Sequence, residues 1–302
     1  MNTPLVDCHT HTSFSDGTST FEENVRAAAA AGLSVLACTD HLTLPASMER
    51  VADAQVPLGQ LCKRRAAFEA ARELAAEVAP SLTLVYGFEC DWYPGCEPNV
   101  ACWAQDVPFT LGSVHWVGSA GNVEAGATGQ PGTEGVELAG QPGSGAGWID
   151  FSDDLHIWQE LGPDEVWRRY VDAWCAACES PLIFSSMAHP DLPACFANDG
   201  LAPTVNLEPL WERMAACAHD THRHVEVSSA GLRKSTGAFY PSAGLLRAFA
   251  RAEVPLTVGS DAHRSCDVGH GIAAAYRYAA AAGYASIDAP RADGSWVTLP
   301  LR

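Results

Sequence analysis

Apolar residues recur in short runs near residues 4–9, 33–39, 82–89, 109–115, 182–188, 224–229 and 255–260, each of a length that suits a buried strand. Between most of these runs the apolar positions follow the period of a helix. The first such stretch is opened by Thr20 and Glu23, the pair of a capping box, and is stopped by Gly32. The second runs from about Leu58 to Ala79 and ends before Pro80. A third opens at Pro163 with Asp164 and Glu165 in its first turn, and its apolar positions Val166, Tyr170, Val171, Trp174 and Cys178 share one face. Further helices are predicted over about 207–219, 242–253 and 267–283. The pattern assigns no element beyond about residue 285.

Strands alternating with helices predict a parallel sheet, and seven of them predict a closed or nearly closed barrel. Residues 118–147 break the pattern with ten glycines, three glutamates and no basic residue. Such a stretch buries too little apolar surface to offset its ordering entropy. It is predicted as a flexible surface insertion within a single domain spanning 1–302.

In barrels of this kind the chemistry sits at the C-terminal ends of the strands. Here every predicted strand ends in a metal-ligating side chain: His9 and His11 in "DCHTH", with Asp16 in the following loop; Asp40 and His41 in "CTDH"; Glu89 and Asp91 in "GFECDW"; His115 in "GSVHW"; His189 and Asp191 in "MAHPD"; Glu226 in "VEVSS", with Arg233 and Lys234 in its loop; Asp261 and His263 in "GSDAH". Side chains two apart on a strand face the same way, so His9 and His11 can bind one ion. A single histidine is more often a surface or core residue than a ligand; the joint placement carries the argument. His156, His219, His222, His224 and His270 lack that placement and are read as structural or surface residues. Imidazoles and carboxylates without thiolates suit zinc, manganese or iron. The donors are too many for one ion, whereas two or three divalent ions sharing a bridging carboxylate would use them. Such sites mainly serve phosphate ester hydrolysis.

Composition narrows the class. Apolar residues make up 47% and charged residues 18% of the 302, which is globular. The formal charge of −18 disfavours nucleic acid as a partner, and an anionic substrate must then be drawn in by a local positive centre such as bound metal. No apolar run reaches the length of a membrane span, and "MNTPLVDC" carries no secretory leader pattern. The eleven cysteines are scattered through helices and strands and are expected to be reduced, in a cytoplasmic protein. Cys175 and Cys178, a C-x-x-C, are expected to pack. Oligomeric state is not readable.

The segments "HTHTSFSDGT", "TDH", "GFECDW", "GSVHW", "AHPDL" and "GSDAHR" resemble the successive motifs of the polymerase-and-histidinol-phosphatase (PHP) superfamily. "VWRRYVDAW", "VEVSSAGLRKSTGAFYPS" and "TVGSDAHRSCDVGHGI" resemble its histidinol-phosphatase branch. The resemblance covers roughly residues 5–283 apart from the insertion. It implies a distorted, TIM-like (β/α)7 barrel with a trinuclear metal centre. On this chain the first ion would take His9, His11, Glu89 and Asp261; Glu89 would bridge to a second held also by His115 and His189; Asp16, His41 and His263 would hold the third. All nine positions are filled by the expected residue types. The implied reaction is hydrolysis of L-histidinol phosphate to L-histidinol and phosphate, in histidine biosynthesis, by water activated on the ions.

Arg233 is a candidate to grip a phosphoryl oxygen, since a guanidinium matches phosphate bidentately. Asp40 is a candidate to orient a ligand or shuttle a proton. Trp116 is a candidate to stack on the substrate's imidazole, and equally for the core. Members of the branch often carry a basic residue just after the H-x-D of strand five; here Leu192, Pro193, Ala194 and Cys195 follow, and Lys234 is the candidate replacement. The rivals are a PHP phosphoesterase for another small phosphomonoester or nucleotide, an amidohydrolase-type barrel, for which no bridging lysine is evident, and a non-catalytic metal-binding protein.

Overall fold

A computed structural model describes residues 3–42, 54–118 and 146–301. Its strands are β1 (Leu5–Asp7), β2 (Leu33–Cys38), β3 (His41–Leu42), β4 (Thr83–Asp91), β5 (Phe109–Ser113), β6 (Trp116–Val117), β7 (Gly147–Trp148), β8 (Ser186–Met187), β9 (His224–Ser228), β10 (Leu256–Gly259), β11 (Ser286–Pro290) and β12 (Trp296–Pro300). Its helices are α1 (Phe21–Ala31), α2 (Leu61–Val78), α3 (Glu97–Trp103), α4 (His156–Leu161), α5 (Pro163–Glu179), α6 (Glu208–Asp220), α7 (Ala243–Arg251) and α8 (Ile272–Ala282).

The main sheet runs β1-β2-β4-β5-β8-β9-β10 in parallel, with β3 added beside β4. Its two edges meet. The Cys8 N–H donates to the Val258 carbonyl (2.9 Å), the Asp261 N–H to that of His9 (2.8 Å), and the His11 N–H to that of Ala262 (2.8 Å). The buried Asp7 carboxylate reinforces this seam, accepting from the backbone N–H groups of Ser260 and Gly269, each at 2.8 Å. The result is a nearly closed seven-stranded barrel ringed by helices, as the alternation predicts.

The core lies between barrel and helices. The five α5 positions placed on one face by their spacing are all buried, and Trp174 packs 5.9 Å from Phe249 of α7. The capping box of α1 is present: the Glu23 N–H donates to Thr20 Oγ1, and the Glu23 carboxylate accepts from the Thr20 N–H at 2.7 Å. Gly32 then ends α1 with φ of 69°. All eleven cysteines are free thiols, and Cys175 and Cys178 are buried on α5. Among the described residues no helix is long and apolar enough to cross a membrane.

Several elements lie outside the sequence pattern. Beyond residue 285 the chain forms the antiparallel hairpin β11–β12. The Trp296 ring stacks on His224 at 3.9 Å, and Asp288 pairs with the same imidazole at 3.0 Å. His224 opens β9, so the hairpin covers the N-terminal mouth of the barrel. The short antiparallel pair β6–β7 and the helices α3 and α4 were also not predicted. The Gly-rich stretch at 118–147 lies, except for its ends, outside the described residues.

Arg64 of α2 is fully buried beneath the barrel wall. Its Nε donates to Asp40 at 2.6 Å and its Nη2 to the carbonyls of Cys38 and Gly87 at 3.0 Å each, while its guanidinium lies 4.2 Å from the Phe88 ring centre. Removing one partner of a buried pair leaves the other charge uncompensated. Arg64→Ala is therefore expected to cost about 3–5 kcal/mol of unfolding free energy. Urea denaturation measures this; a loss below about 1 kcal/mol, the scale of an exposed pair, would show that the pair does not support the fold.

Candidate metal centre

The strand ends deliver six imidazoles to one basin. β1 runs straight into His9 and His11, and both side chains are fully buried. The register of β3 against β4 sets His41 directly beside Glu89. Across the seam, Asp261 and His263 follow β10.

Glu89 lies at the centre with one oxygen on each side. Its Oε2 is 2.9 Å from His9 Nε2 and 3.3 Å from His11 Nε2, and those two nitrogens are 3.0 Å apart. Asp261 Oδ1 flanks this group, 3.2 Å from His11 Nε2 and 3.7 Å from His9 Nε2. The His9, His11 and Glu89 donor atoms form one tight group, and Asp261 approaches its two imidazoles from the side. Ligands at about 2.0–2.1 Å from a tetrahedral ion stand about 3.3 Å from one another, close to the spacings among His9, His11 and Glu89. The Oε1 of Glu89 is 2.8 Å from His189 Nε2 and 3.7 Å from His115 Nε2. A third group joins Asp16, His11, His41 and His263, with Asp16 Oδ2 3.0 Å from His263 Nε2 and 3.7 Å from His41 Nε2. The nine candidate ligands thus come together. The donor set suits divalent metal, and Glu89 belongs to two of the donor groups.

Two carboxylates outside the nine orient the rings. Asp91 accepts from Nδ1 of His41 at 3.1 Å and contacts Nδ1 of His115, so each ring turns its Nε2 to the basin. Glu226 holds His9 Nδ1 at 3.0 Å and accepts from the His189 N–H at 2.9 Å. Gly259 makes that approach possible, since a Cβ there would stand 2.1 Å from Glu226 Oε1. His189 and Asp261 take positive φ, 24° and 53°, a strained backbone for residues other than glycine. Their N–H bonds to Glu226 and to the His9 carbonyl hold them there.

The electrostatics follow from this crowding. Burial disfavours the His9 imidazolium, but Glu226, Glu89 and Asp261 more than offset it and raise its pKa well above the usual value. Burial likewise opposes charge on His115; Asp91, then Asp150, overcome it and push the pKa up to about 9. Against its own burial, Glu89 is held well below the usual carboxylate range, chiefly by His9 and His41. Burial pushes Asp191 up to about 7.

The remaining candidates sit differently. Asp40 is fully buried, and besides Arg64 it accepts from the Thr12 N–H (2.5 Å) and the Ser15 hydroxyl (3.0 Å). It braces the loop after β1 from below the basin. Arg233 donates through Nη2 to the carbonyls of Ser260 and Asp261, each at 2.8 Å, and so pins the loop that carries Asp261; its Nη1 is buried and has no partner among the described residues. Trp116 packs edge-on against Trp148 at 5.4 Å in the β6–β7 pair. Lys234 is exposed at the rim. Glu226 and Asp91 carried the strand-end signal but no assigned role, because only the fold shows which nitrogen each one faces.

Comparison with known proteins agrees with this arrangement. The PHP domain model matches residues 7–230, more than half of the chain. A Deinococcus radiodurans protein described as "probable histidinol-phosphatase" is 28% identical over 270 residues, covering 88% of this chain and 89% of the relative. A candidate histidinol phosphatase, hisK, from Listeria monocytogenes has the same fold, with a TM-score of 0.73 at 20% identity over 89% of this chain and 99% of that one. So does the Lactococcus lactis histidinol phosphate phosphatase solved with zinc, L-histidinol and phosphate, with a TM-score of 0.66 at 18% identity over 96% and 97% of the two chains. With its barrel, its ring of strand-end donors and this match, the chain belongs to the PHP domain family.

Proposed function

We propose that the chain is a metal-dependent phosphomonoesterase that hydrolyses L-histidinol phosphate to L-histidinol and phosphate, the step this reaction supplies in histidine biosynthesis. The observation that carries the reading is the split of Glu89 between two groups of imidazoles, with a third group sharing His11. His9, His11, Glu89 and Asp261 would hold one divalent ion, Glu89, His115 and His189 a second, and Asp16, His41 and His263 a third. When bound, such ions lower the pKa of water and neutralise phosphoryl oxygens. The protein's own part is orientation: Asp91 turns His41 and His115, Glu226 turns His9, and Arg233 fixes the Asp261 loop. The names of the Deinococcus relative and of the Lactococcus structure support histidinol phosphate as the ester.

A second reading is a PHP phosphoesterase with another small ester. It is favoured by Leu192–Cys195, where the branch's basic residue is replaced by a short 3-10 helix in which Leu192, Pro193 and Cys195 are buried.

Phosphate release from histidinol phosphate, nucleotides, p-nitrophenyl phosphate and a dinucleotide decides between them. Histidinol phosphate is expected to give the highest kcat/KM; a higher value for any other ester rejects the leading assignment. Metal analysis is expected to find two to three ions per chain, and chelation to abolish turnover. Asp91→Asn is expected to weaken the sites of His41 and His115 by about 10–100-fold, the usual cost of losing a carboxylate behind a ligand histidine, while Glu226→Gln loosens the His9 site. Elemental analysis after dialysis at graded free metal reads this; equal losses at every site would show that the carboxylates support the fold rather than individual ligands.

A further inference from the structure

The C-x-x-C of α5 has a partner that its sequence does not show. Cys175 and Cys178 stand three apart on a helix and so share one face. α5 packs against α6, and Cys217 of α6 meets both cysteines there. Its thiol is hydrogen-bonded with the thiols of Cys175 and Cys178. Its Sγ lies 3.5 Å from the Cys175 carbonyl and 3.9 Å from Glu179 Oε1. Arg223 holds this register: its Nη2 donates to the carbonyls of Cys178 at 2.9 Å and Leu182 at 2.8 Å, which ties the chain after α6 to the end of α5. The Thr221 hydroxyl donates to the Cys217 carbonyl at 2.6 Å. The three thiols stand apart from the metal centre, since neither helix carries any of the nine candidate ligands.

The surroundings give the three sulfurs different characters. Cys217 is 9% exposed, Cys175 3% and Cys178 not at all. The hydrogen bonds from Cys175 and Cys178, aided by Arg213 one turn earlier on α6, pull the Cys217 thiol down. Arg213 is itself held by an ion pair with Asp172 of α5. The bond to Cys217, with burial, pushes Cys175 up, and burial, with the same partner, pushes Cys178 up. Cysteines that only fill a core lie in apolar surroundings that push every thiol up. Here the most accessible sulfur goes the other way, with two thiols in reach of it. An attacking thiolate beside a resolving thiol is the arrangement that oxidises readily to a disulfide.

We propose that Cys217 and the C-x-x-C of α5 form a peroxide-oxidisable thiol site that closes to a disulfide between α6 and α5. The Cys217 thiolate attacks hydrogen peroxide; the O–O bond breaks, an S–O bond forms, and Cys217 becomes a sulfenic acid. The second peroxide oxygen leaves as hydroxide and takes up the proton that Cys217 gave up, forming water. The thiol of Cys175 or Cys178 then attacks the Cys217 sulfur. The S–O bond breaks, an S–S bond forms, and the hydroxyl leaves with the thiol proton as a second water. Two thiols lose two electrons in all, and one peroxide becomes two waters. The bridge staples together the helix that leads into β8 and the helix that follows it, behind the strand that delivers His189. The site is independent of which ester the metal centre takes.

The test exposes the reduced full chain to limiting hydrogen peroxide, alkylates the remaining thiols and maps every cysteine by peptide mass spectrometry. The control is internal, because Cys62, Cys102 and Cys266 are exposed. A thiol of ordinary pKa is mostly protonated at neutral pH, so Cys217 is expected to react about tenfold faster than those three. It is expected in a disulfide with Cys175 or Cys178 that dithiothreitol reverses. Changing both resolving thiols, Cys175→Ala with Cys178→Ala, is expected to leave Cys217 as a sulfenic acid that dimedone captures. Cys217→Ser is expected to leave Cys175 and Cys178 as thiols. Oxidation of Cys62, Cys102 or Cys266 ahead of Cys217, or oxidation of Cys217 in wild type without a bridge to α5, overturns the site and returns the three thiols to packing. The wild-type map decides even where a variant fails to fold.

Discussion

Closure of the barrel between β10 and β1 is the constraint on which the centre depends. His9 and His11 stand at one end of the chain, and Asp261 and His263 some 250 residues later. The bond from the Asp261 N–H to the His9 carbonyl fixes their relative height, and Asp7 locks the same seam through Ser260 and Gly269. A slip of one residue along a strand would turn alternate side chains away from the basin. The seam therefore sets both the proximity of these donors and the face they present.

Precision beyond the seam comes from carboxylates that do not face the basin first. Asp91 and Glu226 each fix imidazoles through Nδ1, which leaves Nε2 to converge. The cost appears in the backbone, in the positive φ of His189 and Asp261, and in the demand for glycine at 259. Strain held by specific hydrogen bonds, such as those to the His189 and Asp261 N–H groups, is what pre-organised sites show. Arg64 and Asp40 work one layer further down, holding the loop after β1 to α2, so the pair that looks catalytic in "CTDH" divides into a basin residue and a buried brace.

The strands, most of the helices and the ring of donors were legible because each is a local signal. Apolar runs mark strands, and in a parallel barrel all strand ends meet on one face, so a donor at each end needs no further information. The hairpin β11–β12 was not legible, because Trp296 and Asp288 gain their meaning only against His224 at the opposite mouth. Orientation was equally hidden. Arg233 reads as a phosphate ligand by type, but its Nη2 is taken by two carbonyls that no spacing rule reveals. Asp150 gave no signal at all, since it follows the Gly-rich stretch and reaches His115 only through the β6–β7 pairing.

Charge connects these layers. The chain carries a formal −18, and five carboxylates, Asp16, Glu89, Asp91, Glu226 and Asp261, crowd around the six histidines. Arg64 does nothing to offset them, because it is consumed by Asp40. The same crowding raises the basicity of His9, His11, His41 and His115, so protons offset much of the carboxylate charge in the basin. On the proposed assignment divalent ions would displace those protons from the imidazoles and add the net positive charge that draws in an anionic ester.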